Sequence, residues 1–453
     1  MHKKSINDTN VKINIERRES MIWNKEMECA DRDTMCALQL EKLKKTVKHG
    51  YDNVPHYKEA FDKAGVKPED IKSLEDITKL PFITKEDIAA NYPTGLFAVP
   101  KRDIKRIHAS SGTTGKPKIV GYTQSDLDMW GECVARGFAM AGADKESVIQ
   151  VAYGYGLFTG GLGAHIGAET MGAMVLPMSS GNTQKQIMFM QDMQSDVLCC
   201  TPSYALTIAE QVEKAGLVPG KDINLKAGVF GAEPWTQAMR DSIEAKLGLR
   251  AHDIYGLSEI MGPGVSMSCE YNCGMHVQED YFYMEVIDPD TLEPVADGEK
   301  GELVITTLGK EGMPLIRYRT RDICYLMREK CECGRTSVRM SRVFGRTDDM
   351  LIIRGVNVFP SQVETVIAKF EELTVNYKLY VGRENNTDTF ELAVELAEGI
   401  EIEDIAFVEN LRKRIDHALR DMLGIGCKIT LLNAGALPRS EGKAVRVEDT
   451  RKL

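Results

Sequence analysis

The residues with the clearest chemical potential lie between His108 and Thr123, in the run HASSGTTGKPKIVGYT. This run concentrates Ser, Thr, Gly and Lys within a few positions. Glycine lets the backbone approach a polyanion closely, hydroxyl and amide groups donate to phosphate oxygens, and Lys116 and Lys118 add positive charge. We therefore predict a phosphate-binding loop.

This loop differs from the P-loop of nucleotide hydrolases, which needs a Gly five residues before its Gly-Lys pair and a Ser or Thr after it. Those positions hold Ser110 and Pro117. Pro117 and the β-branched residues that follow favour extended chain, so a strand and not a helix should follow the loop. Taken alone, such a run could equally be an ordinary surface turn.

Five further runs decide between these alternatives. They are GAEPW (231–235), YGLSEI (255–260), RYRTRD (317–322), GRTDDMLIIRGVNVFPSQVE (345–364) and PRSEGKA (438–444). In this order the blocks resemble the signature of the adenylate-forming enzymes, the superfamily of acyl-CoA synthetases, adenylation domains and luciferases. GAEPW and RGVNVFPSQVE resemble the phenylacetate-CoA ligase branch in particular. The resemblance covers most of the chain after residue 100.

The resemblance implies an ATP-dependent acid-thiol ligase that joins an aryl acetic acid to CoA and releases AMP and pyrophosphate. A carboxylate does not react with a thiol at neutral pH because its oxygen is a poor leaving group. In an acyl-adenylate the leaving group is AMP, which departs readily when the thiol attacks. Phenylacetate is the favoured acid, followed by indoleacetate or a hydroxylated phenylacetate. Two alternatives stay open: an adenylyltransferase that stops at the AMP adduct, and a non-catalytic, zinc-stapled nucleotide-binding module.

The resemblance also implies roles for individual residues. Lys443 would bridge the attacking carboxylate and the α-phosphate, and Glu259 would ligate Mg²⁺, which binds through few carboxylates plus phosphates. Tyr255 would flank the adenine, Ser258 would reach the α-phosphate, and Asp322 would accept the ribose hydroxyls. The residues expected to bind the nucleotide are Ser110, Ser111, Gly112, Thr113, Thr114, Gly115, Lys116, Gly231, Ala232, Glu233, Asp253, Tyr255, Gly256, Ser258, Asp322 and Arg346.

Some of these residues could instead have purely structural roles. Tyr255 could be a core residue, and Asp322 could pair with Arg319 or Arg321. A non-catalytic module would be expected to lack Glu259 or Lys443, but both residues are present.

The run VAYGYGLFTGGLG (151–163) sets aromatic side chains among glycines, and aromatic acids fit a slot walled by aromatic faces. Any one of these aromatics could equally belong to the core. The predicted acyl pocket is formed by Tyr153, Tyr155, Gly156 and Phe158. By resemblance, the residues expected near CoA are Gly355, Val356 and Asn357, and the hinge is Asp348.

The cysteines carry a second signal. The chain has 11 Cys, which without a secretion signal indicates reduced thiols or metal ligands and not disulfides. Four thiolate or imidazole ligands close a tetrahedral, structural zinc site. We predict that the ligands are Cys269, His276, Cys331 and Cys333, with Cys273 as a substitute and free thiols as the alternative.

Composition limits the remaining possibilities. The chain has 453 residues, 43% hydrophobic residues and a net charge of −10, so no global field attracts nucleic acid or an anionic membrane. No apolar run is long enough to cross a bilayer and the N-terminus has no apolar signal core. We expect a cytoplasmic enzyme whose partners are the aryl acid, ATP and CoA. A homodimer is an assembly that the sequence leaves open.

The elements that must position these residues follow from hydrophobic periodicity. Short apolar runs at 148–152, 173–178, 197–201 and 227–230, separated by helix-length segments, predict an α/β domain with a parallel sheet covered on both faces. Alternating strands from residue 281 predict an antiparallel β subdomain. Past residue 345 the pattern predicts a small, mobile α+β domain. We expect a disordered arm over residues 1–20, an AMP-binding and acyl-binding domain over 21–346, and a C-terminal domain over 347–453, which is the architecture of the adenylate-forming enzymes.

Overall fold

The computed structural model of the chain describes residues 21–110, 117–348, 351–354, 356–384, 387–400, 402, 405–439 and 444–451. The predicted arm, the centre of the phosphate loop over residues 111–116, Gly355 and Lys443 therefore lie outside the described residues. In the part of the chain that the structure describes, none of the helices has the length and apolar composition needed to span a bilayer.

Helices and strands are numbered in chain order. The α-helices are α1 (Lys25–Glu28), α2 (Arg32–Asn53), α3 (Pro55–Ala64), α4 (Lys85–Ala90), α5 (Gln124–Met140), α6 (Thr159–Met171), α7 (Thr183–Asp192), α8 (Pro202–Lys214), α9 (Gln237–Leu247), α10 (Pro360–Ile367) and α11 (Ile405–Leu423). The strands are β1 (Arg106–Ser110), β2 (Lys118–Tyr122), β3 (Val148–Val151), β4 (Met174–Leu176), β5 (Val197–Cys200), β6 (Ala227–Gly231), β7 (Arg250–Leu257), β8 (Gly262–Ser268), β9 (Met275–Val277), β10 (Phe282–Ile287), β11 (Gly301–Thr307), β12 (Tyr318–Cys324), β13 (Leu326–Met327), β14 (Arg339–Met340), β15 (Gly345–Arg346), β16 (Leu351–Ile353), β17 (Val356–Val358), β18 (Leu373–Glu384), β19 (Thr387–Leu396), β20 (Lys428–Leu432) and β21 (Val447–Asp449).

The largest sheet among the described residues runs in the order β13-β14-β9-β8-β7-β6-β5-β3-β4. Strands β4, β3, β5, β6 and β7 are parallel neighbours, which confirms the parallel arrangement predicted from the apolar runs. The sheet then continues through antiparallel strands that the prediction did not include. A tight turn at residues 258–261 reverses the chain between β7 and β8, so β8 returns along β7.

Both faces of the parallel strands are buried. Along β5, Val197 and Cys199 join one hydrophobic core, and Leu198 and Cys200 join another. Successive side chains of a strand point to opposite faces, so this alternation means that apolar layers cover the sheet on both sides. The near-continuous apolar runs in the sequence have this cause.

A second sheet is antiparallel, in the order β10-β11-β12-β15, as the alternating pattern predicted. Its strand β12 begins at Tyr318, inside the charged run RYRTRD, and the next strand, Leu326–Met327, belongs to the larger sheet. The start of β12 is not recognisable from apolar alternation, because the run RYRTRD is rich in charged residues. Arg319 and Arg321 both pair with Glu302, a fully buried carboxylate on β11, so the strand is stabilised by ion pairs as well as by apolar contacts.

The C-terminal residues form their own α+β unit. Strands β20, β19, β18 and β21 make one sheet, β16 and β17 make a hairpin, and α10 and α11 pack against each other. A hydrophobic core runs from Ile353 to Leu431 and includes Leu411 and Ile415 on one face of α11. The α+β character predicted for this region is therefore confirmed.

Candidate functional site

The stem of the predicted phosphate loop is the hairpin of β1 and β2. Ser110 lies opposite Lys118 at the open end of this hairpin, on either side of residues 111–116, so the loop is held at its base by a strand pair. A strand follows the loop, as Pro117 predicted. The predicted loop ligands Ser111, Gly112, Thr113, Thr114, Gly115 and Lys116 lie outside the described residues.

Glu259 lies beside this stem. One of its carboxylate oxygens, Oε1, accepts hydrogen bonds from Ser110 Oγ at 3.1 Å and from Lys118 Nζ at 3.2 Å. Glu259 is buried in the turn after β7, at the carboxyl end of a parallel strand, where ligands of such sheets gather. The predicted Mg²⁺ ligand and the predicted phosphate loop are therefore adjacent.

Ser258, the neighbour of Glu259, is also tied to a glycine-rich segment. Its hydroxyl lies 3.1 Å from Thr159 Oγ1 at the start of α6. The Leu157 carbonyl accepts from the Ala109 amide at 2.9 Å, and His108 Nδ1 lies 3.1 Å from the same oxygen. The segment predicted to hold the acid is thus joined to both β1 and the turn after β7.

Tyr255, Asp322 and Arg346 form a buried cluster. The Tyr255 hydroxyl donates to Asp322 Oδ2 at 2.6 Å, and Arg346 Nη1 donates to Asp322 Oδ1 at 2.8 Å. Because β12 pairs with β15, Asp322 and Arg346 are cross-strand partners. Asp322 therefore pairs with neither Arg319 nor Arg321.

Burial dominates the protonation behaviour of this cluster. It raises the pKa of the Asp322 carboxyl above its usual value, although Arg346 and the Tyr255 hydroxyl act in the opposite direction. It also raises the pKa of the Tyr255 phenol far above its usual value. Tyr255 consequently stays a neutral donor.

The GAEPW run follows β6 and needs small residues. A Cβ on Gly231 would lie 2.2 Å from the Ile254 carbonyl oxygen, and Ala232 has a positive φ of 71°. Glu233 accepts from the Ser203 amide at 2.7 Å and from the Ala444 amide at 2.8 Å. The residue that follows Lys443 in the chain is thereby held against GAEPW.

Two predicted nucleotide residues have structural partners. The Asp253 carboxylate accepts from the Trp235 indole and from Arg240. A Cβ on Gly256 would lie 1.6 Å from the Gly262 carbonyl oxygen, so the close approach of β7 and β8 requires glycine there. Neither contact requires a nucleotide.

The predicted acyl residues differ in their surroundings. Tyr153 is buried in the main core and its hydroxyl donates to the Val229 carbonyl at 3.4 Å. Tyr155 is half-buried, with its hydroxyl 3.2 Å from His165 Nδ1, whereas 41% of Phe158 is exposed. Gly156 has a positive φ of 100°, which a side chain would strain. The half-buried ring and the exposed ring could line a pocket, and the Tyr153 ring belongs to the core behind them.

The predicted hinge and CoA residues lie at the entry to the C-terminal unit. Asp348 accepts from Lys85 at 2.6 Å and from Arg346 at 2.8 Å, and these ion pairs depress the pKa of its carboxyl to about 2 in spite of its partial burial. Val356 is paired with Ile353 in the hairpin of β16 and β17. Gly355 and the side chain of Asn357 are outside the described residues.

The predicted zinc ligands come together. The ligand atoms of Cys269, His276, Cys331 and Cys333 all lie within 4.8 Å of one another. His276 Nδ1 lies 2.9 Å from Ser337 Oγ, which leaves Nε2 facing Cys333 Sγ at 3.3 Å. Hydrogen bonds from Cys269 and His276 hold the pKa of the Cys333 thiol far below its usual range. This donor set fits Zn²⁺, which prefers four tetrahedral sulfur and nitrogen ligands.

Cys273 is the less suitable ligand. Its sulfur lies 3.4 Å from Cys331 Sγ, but the residue is exposed and the Arg339 guanidinium donates to its sulfur at 2.8 Å.

Sequence reasoning missed three residues at the site, His108, Thr159 and Lys310. His108 and Thr159 stand inside or next to runs already singled out, and their proximity to those runs was the available signal. Lys310 is isolated in an unremarkable LGKEG run, and only its burial draws attention to it.

Comparison with known proteins agrees with this geometry. The family model of AMP-binding enzymes matches residues 6–309, and that of the AMP-binding enzyme C-terminal domain matches residues 355–451. The chain is 51% identical over 432 residues to the phenylacetate-coenzyme A ligase of Escherichia coli, covering 94% of this chain and 97% of that protein. It is 49% identical over 446 residues to the enzyme of the same name from Thermus thermophilus, covering 95% of this chain and 100% of the other.

Solved structures of 2-hydroxyisobutyryl-CoA ligase are similar to the whole chain. The crystal structure in the postadenylation state with 2-HIB-AMP has a TM-score of 0.88 and 28% identity, covering 95% of this chain and 92% of the other. The structure of the same enzyme with 2-HIB-AMP and CoA in the thioesterification state has a TM-score of 0.71 and 28% identity, covering 94% and 92%. The arrangement of this chain is therefore more similar to that of the first structure than to that of the second.

Proposed function

The chain belongs to the phenylacetate-coenzyme A ligases of the AMP-binding enzyme family, and on that premise we propose that it activates phenylacetate with ATP and transfers the acyl group to CoA. In the first half-reaction the carboxylate attacks the α-phosphorus of ATP and pyrophosphate leaves. In the second, the CoA thiolate attacks the acyl carbonyl and AMP leaves. Both steps depend chiefly on positioning and on stabilisation of negative charge.

The observation that carries this proposal is the convergence of Ser110, Lys118 and Glu259 at the stem of the phosphate loop. A cation, a hydroxyl donor and a carboxylate meet there at the end of a parallel strand, which suits a Mg²⁺-bound triphosphate. Glu259 would hold the Mg²⁺, whose charge would offset that of the phosphates. With Glu259 engaged by Mg²⁺, Ser110 and Lys118 would be available to donate to phosphate oxygens.

The remaining nucleotide roles follow the same geometry. Asp322 would accept the ribose hydroxyls, with Arg346 holding its other oxygen, and Tyr255 would flank the adenine beside GAEPW. Ser258 would donate to the α-phosphate. Lys443 would reach the α-phosphate from the C-terminal unit, and the contact between the Ala444 amide and Glu233 supports this orientation.

We propose that the C-terminal unit, residues 347–453, turns about Asp348 between the two half-reactions, bringing residues 355–357 to CoA. The separate hydrophobic core of this unit supports independent movement. The higher TM-score to a postadenylation structure supports the assignment of the present orientation to that stage.

We also propose a structural zinc bound by Cys269, His276, Cys331 and Cys333. A closed four-ligand set has no open position for substrate, so the ion would stabilise the fold and would not take part in the reaction. It would join the loop after β8 to the segment before β14.

The experiment that tests the function is a pyrophosphate-release assay over a panel of aryl acids, followed by mass spectrometry of the products with and without CoA. We expect phenylacetate to give the highest kcat/KM and phenylacetyl-CoA to form. An AMP adduct that accumulates without consumption of CoA would instead favour the adenylyltransferase alternative. The absence of pyrophosphate release with every acid would contradict both.

A further inference from the structure

Two side chains of the described residues donate to four consecutive backbone carbonyls in the turn after β7, those of residues 258–261. The Tyr122 hydroxyl lies 3.2 Å from the Ser258 oxygen and 3.1 Å from the Met261 oxygen. Lys310 Nζ donates to the Ile260 oxygen at 2.5 Å and lies 3.4 Å from the Glu259 oxygen. A buried carbonyl without a donor is costly. The Lys310 ammonium has enough protons for two of these carbonyls, and the single Tyr122 hydroxyl proton is shared between the other two.

The two side chains also contact each other. Lys310 Nζ lies 4.7 Å from the centroid of the Tyr122 ring, and that ring stacks on Trp130 at 5.2 Å. Lys310 is 1% exposed, and among the described residues no carboxylate forms an ion pair with it. A buried ammonium is costly unless other groups replace water, and here carbonyl oxygens and a π face do so.

We propose that Lys310 and Tyr122 form a clamp that positions Ser258 and Glu259 for adenylate formation. The proposal rests on the proposed function of these two residues. Neither clamp residue contacts the Glu259 carboxylate or the Ser258 hydroxyl, so both are positioning residues.

The turn at residues 258–261 is held by two sets of contacts, one to its backbone and one to its side chains. The clamp holds its backbone, while Ser110, Lys118 and Thr159 contact the side chains of Glu259 and Ser258. Substrates are expected to replace the side-chain contacts during the reaction, because Ser110 and Lys118 are needed for phosphate. The backbone clamp would then be what keeps the turn in place, and a displacement of about 1 Å at a reacting centre costs about a hundredfold in rate.

The first test is Lys310→Met, which keeps most of the side-chain length and removes the donors and the charge. We expect kcat for adenylate formation to fall by about a hundredfold, with KM for the acid changed by less than about threefold. Attack of CoA on pre-formed acyl-adenylate should lose less than about tenfold. Equal losses in the two half-reactions would overturn the proposal.

The chain offers a matched control in Lys42. Its Nζ donates to the Asp280 carbonyl at 2.6 Å and lies 4.4 Å from the Tyr281 ring centroid, so it makes the same two kinds of contact far from the turn. Lys42→Met should keep both half-reactions at the wild-type rate. If Lys42→Met matched Lys310→Met in adenylation, a general loss of stability would explain both variants and the clamp would be refuted.

A readout without substrates separates the clamp from the proposed function. Hydrogen–deuterium exchange of the backbone amides of residues 258–262 should speed up by about tenfold in Lys310→Met and in Tyr122→Phe, and should stay unchanged in Lys42→Met. Tyr122→Phe keeps the ring and decides the matter if Lys310→Met does not fold. Unchanged exchange in Tyr122→Phe would overturn the clamp even in an active enzyme, whereas absent adenylation by the wild-type protein would refute only the function.

Discussion

At the scale of single residues, the buried carboxylates of the site are hydrogen-bonded to other side chains of the protein while no substrate is bound. Asp322 is held between Tyr255 and Arg346, and Glu259 between Ser110 and Lys118. Each of these carboxylates costs free energy to bury, and each has partners that a substrate could replace. Such carboxylates are expected to lower the stability of the folded protein in exchange for a role in substrate binding.

Asp322→Asn tests this balance. Burial puts the folded-state pKa of Asp322 above the unfolded value of about 3.9. The folded protein therefore binds more protons in the window above that value, and this carboxyl makes folding less favourable as pH rises through it. An uncharged Asn removes this unfavourable contribution, so the substitution should not lower Tm at pH 7.

The same variant should weaken nucleotide binding. Loss of a charged acceptor for the ribose hydroxyls should raise KM for ATP by about tenfold or more. Differential scanning calorimetry and initial rates at pH 7 measure the two effects. A large fall in Tm with unchanged KM would assign Asp322 a structural role alone.

Lys443→Ala tests the predicted bridge between the acid and the α-phosphate. Removing a cation where negative charge develops should slow adenylate formation by about a hundredfold or more, and should spare the attack of CoA on pre-formed acyl-adenylate. Lys428→Ala is the control, since Lys428 is an exposed lysine of the same unit that pairs with Glu391. A comparable effect of both substitutions would point to a general charge effect.

At the scale of elements, neighbouring segments are joined at their ends by a few polar contacts. Leu157 joins the acyl segment to β1, and Thr159 joins it to the turn after β7. The Cys/His cluster joins the loop after β8 to residues 331–333. These contacts fix the relative positions of the strand ends that carry the predicted site residues.

The zinc prediction belongs to this scale. We expect about one zinc per chain in protein purified without added metal, because a closed set of four ligands retains Zn²⁺ tightly. Cys269→Ser should lose the metal and lower Tm by about 5 °C or more, whereas Cys273→Ser should keep both near the wild-type values. Elemental analysis and calorimetry check this, and zinc-free wild-type protein would exclude the site.

Acid selectivity depends on the acyl segment. A small slot beside Tyr155 and Phe158 should favour arylacetates over long-chain fatty acids, so octanoate should have a lower kcat/KM than phenylacetate. Tyr155→Ala should narrow this difference by raising KM for phenylacetate by about tenfold. Better turnover of octanoate by the wild-type enzyme would contradict the pocket assignment.

At the scale of the whole molecule, polar contacts connect the C-terminal unit to the rest of the chain. Arg439 lies between Glu395 of its own unit and Glu210 on α8, and Lys85 pairs with Asp348 at the junction. Contacts of this kind are partly exposed and individually weak, so the orientation can change at low cost. Alternation between two orientations is consistent with such an interface.

Asp348→Pro tests the alternation. Proline fixes φ, so the hinge should stiffen, and thioester formation should be lost while adenylate formation stays near normal. Asp348→Ala is the matched control, because it removes the same ion pairs with Lys85 and Arg346 but keeps a mobile backbone. Rates of the separate half-reactions decide the outcome, and equal losses in both halves for the Pro variant would argue against the hinge.

The order and type of most elements could be predicted from the sequence, because apolar periodicity is local and does not depend on tertiary contacts. The strands β3, β5 and β6 were predicted from it, whereas the strand after the phosphate loop was predicted from Pro117 and the β-branched residues that follow. The zinc candidates and the nucleotide motifs were recognisable for a related reason, because their chemistry requires particular residue types at short spacing. The roles of the individual nucleotide, acyl, CoA, hinge and metal residues remain predictions.

Contacts between side chains that are far apart in the sequence could not be predicted in this way. Asp322 has two arginines within three residues, yet it pairs with Arg346 because β12 and β15 are adjacent strands. Likewise, nothing near Lys310 in the sequence indicates that its ammonium contacts the turn at residues 258–261. Strand pairing and the burial of a charged side chain depend on how whole elements pack against one another. Neither can therefore be read from the spacing of residues along the chain.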